Sequence, residues 1–149
     1  MSLTSDERED LRSTVRSLLG HEDVRVTTAE PPGYDRSLWS RMVDLGWTTI
    51  HVPERYGGGG AGYADAAVVL HELGRTVTPS PFLGAMIASG ALSLADDQSL
   101  AALGGVAIGT VALASTAGSY ELSRCTTTWE SSGATVRLAG SSGFAATSR

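Results

Sequence analysis

A chain of 149 residues with 42% apolar side chains can build one domain, or one and the opening of a second, and nothing in its composition reads as disordered or fibrous. The formal charge of -5 with no basic cluster argues against nucleic acid as a partner. All eleven basic residues are Arg, so the absence of Lys removes Schiff-base and lysine general-base chemistry, and with them a Walker-type phosphate loop.

Cys125 is the single cysteine, which excludes an internal disulfide and a cysteine metal cluster and leaves an inert thiol as the expected reading. The charged start (Asp6, Glu7, Arg8, Glu9, Asp10) has no apolar core behind it and is not a secretory signal. No apolar run reaches the roughly 18 residues of a membrane span. The expected compartment is the cytoplasm, with no membrane as partner.

In chain order, Thr4 and Glu7 form a candidate capping box. Leu11, Val15, Leu18 and Leu19 then follow as one amphipathic stripe, and Gly20 stands where a left-handed cap belongs. Residues 21 to 34 read as loop around Pro31-Pro32-Gly33. Asp35 opens a second helix with Leu38, Trp39, Met42 and Val43 toward the core, and Gly46 stops it. Trp47 to Val52 reads as extended. Tyr63 to Arg75 is a third helix, with Ala67, Val68, Leu70 and Leu73 available for burial. Thr78-Pro79-Ser80-Pro81 breaks the chain, and Pro81 suits the first turn of a fourth helix, Phe82 to Leu94. That helix is apolar almost all round (Ala85, Met86, Ile87, Ala88, Ala91, Leu92) and is expected to be buried on every side.

A short helix is expected around Asp97 to Leu103, after which the pattern changes. Val106 to Ala114 reads as a buried strand, with further strands at Leu122 to Trp129, Ala134 to Ala139 and Phe144 to Thr147. The expected boundary is near Gly104-Gly105, giving a helical domain over 1–104 and the start of a β domain over 105–149. The fold class is mainly α, a helical bundle followed by the first strands of a β domain.

Several constellations have a functional and a plain reading. Gly57 to Gly62 contains G-x-G-x-x-G between a possible strand and a helix, which is the pattern of a dinucleotide loop. Against it, Pro53-Glu54-Arg55-Tyr56 separates strand from glycine, and no acidic residue lies about 20 positions further on. A flexible surface turn is the preferred reading. His71-Glu72-Leu73-Gly74-Arg75 begins like the zinc motif H-E-x-x-H but has Arg75 where the second histidine belongs. His21 and His51 read as surface or loop residues, and no metal site is nominated. Gly140-Ser141-Ser142-Gly143 has the wrong spacing for a nucleophile elbow. Trp39 and Trp47 read as core.

Taken together, Leu45-Gly46-Trp47, Val52-Pro53-Glu54-Arg55-Tyr56-Gly57-Gly58, Glu72-Leu73-Gly74-Arg75 and Pro81-Phe82-Leu83 resemble, in order and spacing, a bacterial acyl-CoA dehydrogenase. The resemblance runs from about Leu11 to Phe144 and is strongest from Leu38 to Leu94. It implies an N-terminal all-α domain whose later helices wall an acyl-tail pocket, the helix from Phe82 to Leu94 doing so here. It also implies a middle β domain that supplies flavin contacts.

Ala112-Leu113-Ala114-Ser115-Thr116-Ala117-Gly118-Ser119 is similar to the family's first β segment, and Leu113, Gly118 and Ser119 match it. Arg137 to Phe144 is similar to a later strand whose aromatic, Phe144 here, packs beside the flavin. By resemblance, then, Leu113, Gly118, Ser119 and Phe144 are the cofactor-binding residues and FAD is the cofactor. Two hydroxyls of the family pattern are methyl groups in this chain, at Ala114 and Ala146, and the strand's lysine is Ser142. Each lost hydrogen bond costs on the order of 1 kcal/mol, so weak flavin binding by the chain alone is the expectation.

The activity implied is α,β-desaturation of acyl-CoA thioesters, which needs a carboxylate base beside the flavin. None of the sixteen acidic residues matches that position, so no catalytic residue is nominated and a truncated form, inactive alone, is expected. The alternative is a non-catalytic interaction subunit of a full-length dehydrogenase. The implied partners are acyl-CoA and dehydrogenase subunits in a homo- or hetero-oligomer; a nucleotide-binding module resting on the glycine run ranks last.

Overall fold

The structure is a computed structural model that describes residues 2–20, 32–95, 100, 108–112, 114–115, 120–121, 126–132, 135–140 and 142–144. Its contacts divide it into two units, Met1–Gly109 and Thr110–Thr147. Among the described residues the first holds four α-helices: α1 (Ser5–Leu19), α2 (Arg36–Asp44), α3 (Tyr63–Arg75) and α4 (Phe82–Leu94). The second holds β1 (Ala114–Ser115), β2 (Thr128–Ser132), β3 (Thr135–Ala139) and β4 (Ser142–Phe144).

The helix starts follow their caps. The Thr4 amide donates to Glu7 at 2.7 Å, and the Glu7 amide donates to the Thr4 hydroxyl at 3.3 Å, a complete capping box. Asp35 accepts from the amides of Ser37 and Leu38, and Gly46, at φ 71°, takes the left-handed turn that ends α2. Gly20 differs from expectation. Its φ of -64° is right-handed, because its amide stays in the helical ladder, bonded to the Arg16 carbonyl.

Val15, Leu18 and Leu19 of α1, Leu38, Trp39 and Met42 of α2, Trp47 from the segment after α2, Val69 and Leu73 of α3, and Phe82 and Ala85 of α4 make one core. Val43, Leu70 and Leu11 pack at its edge. Ala67, expected to be available for burial, is exposed; the α3 face turned inward runs instead through Asp65, Ala66, Val69, Glu72 and Leu73.

Trp47 to Val52 is not extended. Trp47–Thr49 forms a 3-10 turn, closed by Ile50 donating to the Trp47 carbonyl and Val52 to that of Thr49. Six residues rich in Thr, Ile and Val leave helix and strand undecided on pattern alone. The decision comes from packing: the turn touches α2, α3 and α4, and buries Trp47, Thr48, His51 and Val52 together.

The glycine run is no flexible surface turn either. The amides of Gly59, Gly60 and Ala61 donate to the carbonyls of Thr49, Val52 and Ile50 at 3.0, 2.9 and 2.9 Å. A Cβ on Gly58 would stand 2.2 Å from the Val52 carbonyl oxygen, so only glycine fits the approach.

In the second unit β1 pairs antiparallel with β4, and β2 with β3. Residues 108–112, expected within a strand, lie in none; Ile108 packs against the helical core instead. Of the expected 122–129 strand, the described residues 126 and 127 are irregular and β2 starts at Thr128. The short helix expected at 97–103 falls largely outside the described residues, as do the expected boundary at Gly104-Gly105, His21, Cys125 and Ala146.

Candidate functional site

Helix α4 has two unlike faces. Phe82, Ala85, Ala88 and Ser89 point inward and are buried. Leu83, Ile87 and Leu94 recur at i, i+4 and i+11, one stripe on the opposite face. They stand 48%, 43% and 92% exposed. The expectation that α4 is buried all round is therefore corrected. Its composition is uniformly apolar, but among the described residues only one side meets a partner.

Behind α4 lies a polar contact that pattern reading placed on the surface. His51 is 8% exposed, and its Nε2 lies 2.6 Å from the Ser89 hydroxyl. Ser89 donates its own proton to the Met86 carbonyl at 3.0 Å, so its oxygen accepts from His51 Nε2–H. That fixes the neutral tautomer and leaves Nδ1 a buried acceptor with no partner among the described residues. Burial holds the imidazole below its usual 6.5, only partly offset by the Met86 carbonyl. The Tyr63 ring of α3 lies 5.0 Å from the His51 ring, tilted 39°. The Tyr63 hydroxyl rests on Gly90, where a Cβ would stand 2.5 Å away.

Two buried carboxylates of α3 hold the rest of the frame. Asp65 accepts from the Gly62 amide at 2.8 Å and Arg8 Nε at 2.7 Å. One α3 turn-pair later, Glu72 accepts from Arg16 through Nε at 2.9 Å and Nη2 at 3.1 Å, and from Arg75 Nε at 2.8 Å. Arg8 meeting Asp65 and Arg16 meeting Glu72 means that α1 and α3 run side by side in the same direction. The Arg16 guanidinium, with Arg75 and His71, brings the Glu72 carboxyl down from 4.5 to about 2. For Asp65, burial pushes upward, and the Gly62 amide with Arg8 more than offsets it, leaving it lowered. So Glu72, half of an abortive zinc motif by pattern, is an ion-pair hub; no group of potential metal ligands occurs among the described residues.

Of the four residues nominated for the cofactor, Leu113, Gly118 and Ser119 lie outside the described residues. Phe144 is in β4, its Cα opposite that of Ala114 in β1. The pairing thus brings together the two segments selected by resemblance to flavin strands. The donor set is incomplete for a flavin, since position 114 offers a methyl and no hydrogen bond. Pattern reading missed His51, Ser89, Tyr63 and Asp65; the one usable signal was the spacing of Arg8, Arg12 and Arg16, four residues apart on one helix face.

The model of the family "Acyl-CoA dehydrogenase, N-terminal domain" matches residues 5–100. Acyl-CoA dehydrogenase IpdE2 of Mycobacterium tuberculosis is 44% identical over 117 residues, covering 72% of this chain. The chain spans 37% of that relative's length. Among solved structures, a Tcur3481-Tcur3483 steroid ACAD variant shares the fold at a TM-score of 0.73 and 24% identity, over 94% of this chain and 41% of that one. The ChsE4-ChsE5 complex of Mycobacterium tuberculosis gives a TM-score of 0.68 at 26% identity, over 93% of this chain and 40% of that one. The family model covers more than half of the chain, and the chain belongs to the acyl-CoA dehydrogenase family.

Proposed function

We propose that these residues form the helical wall of an acyl-thioester pocket and the opening strands of a flavin site, in an assembly that carries out α,β-desaturation of acyl-CoA. The carrying observation is the two-faced α4. Its inner side is fixed to the core by Phe82 and Ser89, and its outer stripe of Leu83, Ile87 and Leu94 presents apolar surface of the kind that lines an acyl tail or an apolar partner. In this reading residues 1–104 are the helical domain and 105–149 the start of the β domain, with Leu113, Gly118, Ser119 and Phe144 contacting FAD. When bound, FAD supplies the hydride acceptor; the base that removes the substrate proton comes from outside these residues.

A second reading, a non-catalytic subunit beside a full-length dehydrogenase, is favoured by the likeness to a chain of a two-protein complex, ChsE4-ChsE5. An absorbance spectrum tests both, taken on the purified chain and on the chain co-expressed with any adjacent dehydrogenase gene. No flavin band in the chain alone and a band in a co-purifying complex is the result expected of a subunit. Flavin in the chain alone would show that Ala114 and Ala146 do not prevent binding. No band in either sample would remove the flavin part of the proposal.

A further inference from the structure

His51 and Ser89 join two parts of the molecule that no covalent neighbour connects. His51 closes the turn that carries Trp47 and Thr48; Ser89 sits at the middle of α4, on its inner face. Their side chains form a hydrogen bond of 2.6 Å between α4 and the turn. The other inward side chains of α4 are Phe82, Ala85 and Ala88. They supply apolar contact but no direction, and two alanines leave little to interlock.

The bond itself survives protonation, since Nε2 carries its proton in both forms; what the charged ring loses is its fit to a buried site. Ser89 already donates to Met86, so it can only accept, and Nε2 must carry the proton. A second proton would go to Nδ1, which is buried and faces no acceptor among the described residues. Beyond the Met86 carbonyl, which favours the charged ring and only partly offsets burial, the surroundings offer little to stabilise the resulting cation. Helix α4 contains no ionisable side chain, and neither does the Trp47–Thr49 turn. From α3 the group against His51 is Tyr63, whose ring makes a tilted contact. The α3 carboxylates are engaged elsewhere, Asp65 by Arg8 and Glu72 by Arg16. Glu54 folds against Gly60, and Arg55 stacks on Tyr56 with 4.7 Å between guanidinium carbon and ring centre.

We propose that the His51–Ser89 pair is a proton-sensitive latch that holds α4 in place, keeping its apolar stripe in position when the ring is neutral and releasing the helix when the ring is charged. His51 and Ser89 are positioning residues: they touch no reacting group and act through where α4 lies. The latch stands on the geometry alone. Its consequence for acyl binding rests on the reading proposed above.

Linkage gives the direction. The folded state binds the second proton less readily than the unfolded chain, whose histidine titrates near 6.5. Stability is therefore fully present above 6.5 and falls as the pH drops below it, by at most about tenfold in the opening equilibrium per pH unit. The lowered carboxylates act only further into acid, so they do not share this window.

The test uses the chain alone and requires neither flavin nor partner, which separates failure of the latch from failure of the acyl-pocket reading. Imidazole nitrogen shifts and amide-exchange protection of α4, corrected for intrinsic rates, are measured from pH 7.5 to 5.5 in the native chain, His51→Gln and Ser89→Ala. Glutamine can donate to Ser89 and does not titrate. The latch requires Nε2–H at pH 7.5 and α4 protection that falls severalfold toward pH 5.5 in the native chain. It also requires protection that stays level in His51→Gln and is already low at pH 7.5 in Ser89→Ala. Comparison with His51→Gln separates His51 from His21 and His71. A proton on Nδ1, parallel loss in native and His51→Gln, or native-like protection in Ser89→Ala would overturn it. Should His51→Gln not fold, the native chain decides. Loss of α4 protection that tracks His51 protonation supports the latch, and protonation that leaves α4 protection unchanged sinks it.

Discussion

Glu72 shows how far a residue's neighbours can be from its sequence context. It is fully buried, yet its carboxylate is shared by Arg16, 56 positions away, and by Arg75 on the next turn of its own helix. Removing the carboxylate leaves guanidinium groups that are about half exposed and can turn to water, so the loss is chiefly that of charge-assisted hydrogen bonds. Glu72→Gln is expected to lower the unfolding free energy by about 3 kcal/mol, read by urea denaturation at pH 7. Arg16→Ala is expected to cost less, because Arg75 remains.

The same carboxylate sets the acid limb of stability. Its folded pKa, about 2, lies below the ordinary 4.5, so its contribution is present above 4.5 and lost as the pH falls toward 2. Asp65 is shifted the same way. Denaturation midpoints at pH 7, 4 and 3 are expected to fall in that order, and more shallowly in Glu72→Gln. The arginine stripe of α1 was legible in sequence. Its acceptors were not, because nothing local says which of sixteen acidic residues a stripe of arginines will meet.

At the scale of elements, the end of α3 carries a local conflict. The Val77 amide donates to the Gly74 carbonyl at 3.1 Å and the Thr78 amide to that of Leu73 at 2.9 Å, the paired bonds of a Schellman cap. Such a cap wants glycine at its left-handed residue, and here that residue is Val77, at φ 53° and 74% exposed. A β-branched side chain in that region costs roughly 1–2 kcal/mol, part of which glycine gives back through the unfolded chain. Val77→Gly is expected to stabilise by about 1 kcal/mol, seen as a higher thermal midpoint; an unchanged or lower midpoint would mean that Val77 makes contacts worth more than its strain.

The glycine run gives the opposite case. Gly58→Ala puts a methyl into the Val52 backbone, which cannot move without breaking the bond from Gly60 to Val52. The expected loss is about 3 kcal/mol, measured by the same denaturation. The ends of α3 and α4 were readable from caps and breakers. The state of Trp47 to Val52 was not, since its burial is imposed by three helices that pack on it.

For the whole molecule, apolar surface is the prominent feature. Besides the α4 stripe, Trp129 and Leu138 stand directly across from each other on β2 and β3 and are both largely exposed. An antiparallel hairpin with a bare aromatic–aliphatic pair invites association. If the α4 stripe is a docking or lining surface and not part of the fold's own stability, replacing it should not unfold the chain. The double variant Ile87→Ser, Leu94→Ser is expected to keep stability within about 1 kcal/mol and to lower the associated fraction seen by light scattering. A large loss of stability would instead make the stripe part of the core. Among the described residues no helix is long and apolar enough to cross a membrane.

Sequence by itself determined the bounds of the four α-helices between Thr4 and Leu94, the switch from helical to β grammar beyond them and the family, because caps, breakers and motif order are local and survive without a fold. Only the tertiary structure decided which side of α4 faces out, that the glycine run is locked down, and that His51, Ser89, Asp65 and Glu72 are buried with partners. Those are statements about residues far apart in the chain. Burial and pairing at such distances depend on how whole helices pack, which no window of neighbouring residues contains.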